Sequence, residues 1–171
     1  LPGIRIASGS LGQGISVAIG AALAKKLNGD DKLVYCLTGD GELQEGQIWE
    51  ALLFASAKKV DNLIVTVDWN DAQIDGSTQQ VCDLGDLKAK FTAFGFDVLE
   101  MNGNVMEDVI FTLSQAQLKT KKGKPVAILM NTEMGFGVDF MMGTHKWHGS
   151  APNDEQLAKA LAQLEETIGD Y

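Results

Sequence analysis

Asp40 and Asn70 stand thirty residues apart, and the residues between them spell one strand, one helix and a second strand. Leu33-Val34-Tyr35-Cys36-Leu37 is a short apolar run that ends in the turn Gly39-Asp40-Gly41. A helical stretch follows over residues 44–59, and a second run, Leu63-Ile64-Val65-Thr66-Val67, ends in Asp68-Trp69-Asn70. About 30 residues is the length of a βαβ unit, and its right-handed crossover makes the two strands parallel. Both C-terminal turns then lie on one edge of the sheet, where open α/β sheets bind ligands. A carboxylate and an amide oxygen meeting there suit a hard cation that holds a phosphate. The glycines beside Asp40 let backbone N–H groups come close to such a phosphate. A Gly-Asp-Gly turn alone is explained as well by turn geometry; Asn70 at one βαβ spacing makes the metal reading its equal.

The remaining pattern extends the same architecture. Further apolar runs occupy residues 96–101 and 126–130, and residues 4–7 offer a fifth. Most are continuous rather than alternating, as expected of parallel strands covered on both faces. Helical patterns separate them. Over residues 11–27, Ile15, Ile19, Ala22 and Leu23 form a stripe; Val105, Val109, Leu113 and Ala116 mark a later helix. The last helix is predicted to start at Asn153, with Gln156 completing a capping box, and to run through Leu157, Leu161, Leu164 and Ile168. Strands alternating with helices predict a three-layer α/β/α domain around a mainly parallel sheet. Two segments, residues 69–84 and 132–152, resist assignment, and loops of that length inside a compact domain tend to be functional.

Length and charge narrow the partners. A chain of 171 residues fits one domain with one core. A formal net charge of -9 argues against nucleic acid. Lys119, Lys121, Lys122 and Lys124 cluster, but as the close of a helix, where cations complement the dipole. Cys36, in a strand, and Cys82, in a loop, lack CxxC spacing and read as free thiols of a reducing, cytoplasmic compartment. No apolar run is long enough to span a membrane, and no signal peptide opens the chain. The start at Leu1-Pro2-Gly3, without methionine and just before a motif, reads as the interior of a longer polypeptide.

A Gly-Asp-Gly followed some thirty residues on by Asn is the thiamine diphosphate motif, and the surrounding blocks resemble transketolase. They are Gly9-Ser10-Leu11-Gly12-Gln13-Gly14, Gly39-Asp40-Gly41-Glu42-Leu43-Gln44-Glu45-Gly46, Trp49-Glu50-Ala51, Asp61-Asn62-Leu63-Ile64, Asp68-Trp69-Asn70, Gln73-Ile74-Asp75-Gly76 and Gly143-Thr144-His145-Lys146-Trp147-His148-Gly149. They keep the family's order along nearly the whole chain.

The resemblance implies that the Asp40 and Asn70 side chains and the Ala72 carbonyl bind Mg²⁺ (or Ca²⁺ or Mn²⁺). It implies further that Gly9, Leu11, Gly39, Asp40, Gly41, Glu42, Asn70, Ile74 and His145 line the thiamine diphosphate site. His145 is the expected catalytic residue, since imidazole can donate to an oxygen and move a proton near neutral pH. Glu45 and Glu50 read either as a solvated helix face or, by resemblance, as groups facing a subunit interface. Rival motifs fail on spacing. Ala72, Gln73 and Gln79 stand where an EF-hand needs ligands and glycine, and the 9–14 glycines fit neither GxGxxG nor a P-loop. His145 and His148 lack the further ligands of a zinc site.

The implied activity is transfer of a two-carbon ketol unit between sugar phosphates. This chain matches the diphosphate- and metal-binding half; the pyrimidine-binding half is expected from a separate subunit or another part of the chain, in a homo- or hetero-oligomer. Two alternatives stay open: a half-site of another thiamine diphosphate transferase or synthase, and a catalytically inert binding or assembly protein.

Overall fold

The computed structural model describes residues 3–165. Its core is a four-stranded, all-parallel sheet in the order β1-β2-β4-β3, formed by β1 (Val34–Gly39), β2 (Leu63–Trp69), β3 (Asp97–Asn102) and β4 (Val126–Asn131). The four expected strands form with only small changes at their ends. The central pair, β2 and β4, are the two runs buried almost throughout, because each has a strand on both sides and helices above and below.

The helices are α1 (Gln13–Leu27), α2 (Gly46–Ala57), α3 (Thr78–Cys82), α4 (Leu87–Ala93), α5 (Met106–Lys119) and α6 (Asp154–Leu161), of which α1, α2, α4 and α5 cover the sheet. Ile15 and Ile19 of α1, Ile48 and Leu52 of α2 and Phe91 of α4 pack on Leu63, Val65, Val67 and Leu129 from one face. Val109, Leu113 and Ala116 of α5 pack on Ile64, Val126 and Ile128 from the other. Helices on both faces give the expected three-layer α/β/α arrangement.

Several expectations are corrected. Residues 4–7 form no strand; Ile4 and Ile6 are exposed, and two alternating apolar residues supply no ladder partner by themselves. The apolar run of β1 is covered on one face only. Cys36 and Thr38 point inward, whereas Tyr35 and Leu37 are 51% and 68% exposed, because α5 lies over β3 and β4 instead. The helix expected from residue 44 is divided: Gly41–Gln44 is a 3-10 turn, Glu45 is extended, and α2 begins at Gly46. It closes at Ala57, since Lys59 takes a positive φ. Cys82 ends α3 instead of lying in a loop, and is exposed. Only Lys119 of the lysine cluster lies in the last turn of α5; Lys121 follows it with φ +60°. The capping box at α6 forms as expected, with Asn153 and Gln156 exchanging side-chain-to-backbone bonds at 2.9 Å. The helix stops at Leu161; Leu164 lies beyond it and Ile168 lies outside the described residues. No helix of the described residues is long and apolar enough to cross a membrane.

Candidate metal and phosphate site

The βαβ unit brings its two polar turns together as its length requires. β1 and β2 pair with Gly39 opposite Asp68, and the Asp40 N–H donates to the Asp68 carbonyl at 3.1 Å. Asp40 therefore begins a turn directly beside the end of β2. Its side chain is only 2% exposed. Oδ1 accepts from Gly41 N at 2.7 Å and Oδ2 from Asp71 N at 2.6 Å. Burial pushes the Asp40 carboxyl above the usual carboxylate range; the two N–H bonds pull it down, and the nearby Asp68 and Asp71 charges push it up again.

Asp71 reaches Asp40 because its backbone is left-handed, φ +54°, a region that aspartate enters more readily than most residues. The Thr78 hydroxyl, in α3, donates to Asp71 Oδ1 and holds that turn. Asn70 sits one residue earlier. Its Oδ1 accepts from Ala72 N at 2.9 Å and its Nδ2 donates to Asp68 Oδ2 at 3.3 Å. After Ala72, Gln73 and Gly76 exchange backbone bonds at 2.9 and 3.2 Å, which projects Ile74 outward with 72% exposure.

The glycines act partly through what they lack. A side chain on Gly41 would meet Gln73 Cβ and Oε1 at 3.4 Å. The Gly39 N–H donates to Glu42 Oε2 at 3.2 Å, and Gly41 N–H to Asp40, so both are hydrogen-bonded within the turn. Glu42 also accepts from Gly12 N through Oε1 at 2.9 Å, tying the glycine-rich segment before α1 to the Asp40 turn. Gly12 needs its glycine: φ is +82°, and a Cβ there would lie 3.2 Å from Glu45 Cβ. A Cβ on Gly9 would meet nothing within 4 Å, and Leu11 is 52% exposed; both sit in that tethered segment, outside the cleft described next.

A cleft of about 390 Å³ runs from Asn70, Asp71 and Ala72 to Thr132, Glu133, Thr144 and His145. It joins the β2 turn to the loop after β4, so His145 shares one wall system with two of the three expected metal donors. His145 is exposed and opens a 3-10 turn, His145–Trp147, in which the Thr144 hydroxyl accepts from Lys146 N at 3.3 Å. His148 closes that turn outside the cleft, and Trp147 is fixed by its Nε1 bond to the Phe140 carbonyl at 2.9 Å. A larger hollow of about 640 Å³, between Phe140, Trp147 and α6, holds none of the motif residues except Trp147. Glu45 and Glu50 are both exposed.

The donor set fits a hard divalent cation: one carboxylate, one amide oxygen and a nearby peptide carbonyl, with no thiolate or imidazole among them. Three aspartates crowd here, and a cation would relieve their mutual repulsion. Thr132 and the side-chain bonds of Asp68 escape the sequence reading. Asp68 and Thr132 hydrogen-bond each other across 64 residues, and no local signal links them. Asp68 was visible within the Asp68-Trp69-Asn70 turn; its bond to Asn70 was not.

Known proteins share this fold and much of its sequence. The family model described as transketolase, thiamine diphosphate binding domain, matches residues 1–166. One of the subunits of the apulose-4-phosphate transketolase of Phocaeicola vulgatus is 42% identical over 98% of this chain and 59% of its own length. The Homo sapiens transketolase is 34% identical over 92% of this chain and 25% of its own length. The crystal structure of transketolase from Campylobacter jejuni superposes with a TM-score of 0.84 at 38% identity, covering 94% of this chain and 26% of that one. The chain thus spans little more than half of the Phocaeicola relative and about a quarter of the longer transketolases. With its parallel sheet, its Asp40 and Asn70 turns and this match over residues 1–166, the chain belongs to the transketolase family, as its thiamine diphosphate-binding domain.

Proposed function

We propose that this chain is a single domain supplying the diphosphate- and metal-binding half of a transketolase-type active site, which moves a two-carbon ketol unit between sugar phosphates. The observation that carries the reading is the meeting of buried Asp40 with the Asn70–Ala72 turn at the C-terminal edge of β1 and β2. Asp40, the Asn70 amide oxygen and the Ala72 carbonyl would hold Mg²⁺, or Ca²⁺ or Mn²⁺, against the cofactor diphosphate. Gly39 and Gly41 keep side chains out of that turn, while Glu42 anchors it to the segment containing Gly9 and Leu11. Ile74, projecting from its tight turn, offers an apolar surface to the organic part of the cofactor.

Bound thiamine diphosphate supplies the carbanion chemistry needed to break and make a bond beside a ketose carbonyl. The residues of this chain position and protect. Asp40 and Asn70 fix the anionic end. His145, on the facing wall of the cleft, donates to a phosphate or sugar oxygen and carries a proton during the transfer. The pyrimidine-binding half comes from a partner subunit or another part of the polypeptide, a reading supported by relatives named as transketolase subunits. Those relatives are named for apulose-4-phosphate and for 6-deoxy-6-sulfo-D-fructose; for this chain, sugar phosphates are the proposed class. The test is reconstitution. This chain with a pyrimidine-binding half should transfer ketol units in the presence of Mg²⁺ and thiamine diphosphate, and this chain alone should not. Turnover by the isolated chain, or an inert reconstituted pair that binds cofactor normally, would contradict the proposal.

A further inference from the structure

Asn70 has a partner on each end of its amide. Nδ2 donates to Asp68 Oδ2 at 3.3 Å, and Oδ1 accepts from Ala72 N at 2.9 Å. A carboxylate only accepts and a peptide N–H only donates. Turning the amide over would therefore set oxygen against oxygen and N–H against N–H. The pair of contacts selects one orientation, with one lone pair of Oδ1 still free beside the bond from Ala72.

Asp68 does not rely on Asn70 for its own placement. Its Oδ1 accepts from the Thr132 hydroxyl, and its backbone carbonyl accepts from Asp40 N at 3.1 Å. It lies on central strand β2, paired with Gly39 of β1 on one side and Met130 of β4 on the other. Thr132, just past β4, is held in turn by its N–H bond to the Trp69 carbonyl at 3.2 Å. Asp68 thus has its own anchor on the sheet, and it reaches the site through its bond to the Asn70 amide.

We propose that Asp68, anchored by Thr132, is a positioning residue that sets the Asn70 amide so that its oxygen faces the divalent cation. The inference rests on the reading of Asp40 and Asn70 as metal donors. Partners that orient a metal ligand are typically worth about 10–100-fold in metal affinity. The same hydroxyl fixes the start of the loop that leads along the cleft to His145, so the clamp also links the two walls of the site.

The experiment titrates Mg²⁺ into the assembled enzyme at fixed thiamine diphosphate, reading cofactor binding by calorimetry, with kcat at saturating Mg²⁺ and thermal stability measured alongside. Asp68→Ala and Thr132→Val should raise the half-saturating Mg²⁺ concentration by about 10–100-fold. Thr132→Ser, which restores the hydroxyl, should return it to the unmodified value, and kcat at saturating Mg²⁺ should fall far less than the affinity. If Asp68→Ala does not fold, Thr132→Val against Thr132→Ser decides alone. Unmodified Mg²⁺ affinity in Thr132→Val, or equal losses in the Val and Ser variants, overturns the inference while Asp40→Ala still abolishes the Mg²⁺ dependence. If Asp40→Ala leaves that dependence intact, the metal reading itself falls, and the inference with it.

Discussion

Glu42 and Gly12 are joined by a 2.9 Å hydrogen bond, Gly12 N–H to Glu42 Oε1, across thirty residues of sequence. The other oxygen of the same carboxylate accepts from Gly39 N, so one side chain fastens two glycine segments that both border the proposed cofactor site. A hydrogen bond to a charged group contributes about 1.5–3 kcal/mol net. Glu42→Ala should therefore destabilise the fold by about that amount, with Glu42→Gln, which keeps one acceptor, losing less. Urea unfolding checks both. Equal stability of the Ala variant and the unmodified chain would show that the tether is idle.

Asp61 holds the far edge of the sheet. Its carboxylate accepts from Lys26 Nζ at 2.7 Å and Gly123 N at 2.9 Å, and its carbonyl accepts from Lys121 N. Burial alone would raise its pKa, but the Lys26 and Gly123 bonds outweigh burial and hold the carboxyl below the ordinary value. A depressed folded value means that the stabilisation is complete above the unfolded pKa of about 3.9 and is lost as pH falls through the lower folded value. Asp61→Asn should lower stability at neutral pH and flatten the acid limb below about pH 4, measured by urea midpoints across pH. An unchanged acid limb would argue against this placement.

The two thiols should behave very differently. Burial, with Glu42 nearby, pushes Cys36 up to about 11, whereas Cys82 is exposed at the end of α3. The thiolate is the reactive form. Iodoacetamide near pH 8 should modify Cys82 alone, with Cys36 labelled only after denaturation, as read by mass spectrometry of peptides. Rapid labelling of Cys36 in the native protein would mean that β1 opens readily.

His145 and His148 stand three residues apart on one short turn, but only His145 lines the cleft with Asn70 and Ala72. In the assembled enzyme His145→Ala should lower kcat by about 10²–10⁴-fold, the typical contribution of a positioned acid–base group. His148→Ala should stay near the unmodified rate, and both should melt alike. Equal mild losses would make His145 an ordinary loop histidine.

What the sequence disclosed and what it withheld divide along physical lines. Asp40 and Asn70 were legible because turn residues ended two apolar runs at one βαβ spacing, and local pattern plus handedness dictated the rest. The α6 start was legible because a capping box is written in four consecutive residues. α3 and α4 were missed because each is short, offering only one or two buried positions instead of a stripe, although Ser77 and Asp86 do cap them. The exposure of Tyr35 and Leu37 was hidden since an apolar run does not say which faces are covered. The Asp68–Thr132 bond joins residues brought together only by the β2–β4 pairing, so no local reading reaches it.

The central claim is that Asp40 belongs to a divalent-metal site that holds the diphosphate of the cofactor. Titration calorimetry of thiamine diphosphate into the chain assembled with its pyrimidine-binding half, with and without Mg²⁺, tests it most directly. The account predicts that Asp40→Ala abolishes the Mg²⁺-dependent part of the affinity while circular dichroism shows the same helix and strand content. Unchanged Mg²⁺-dependent affinity in a folded Asp40→Ala variant would contradict it.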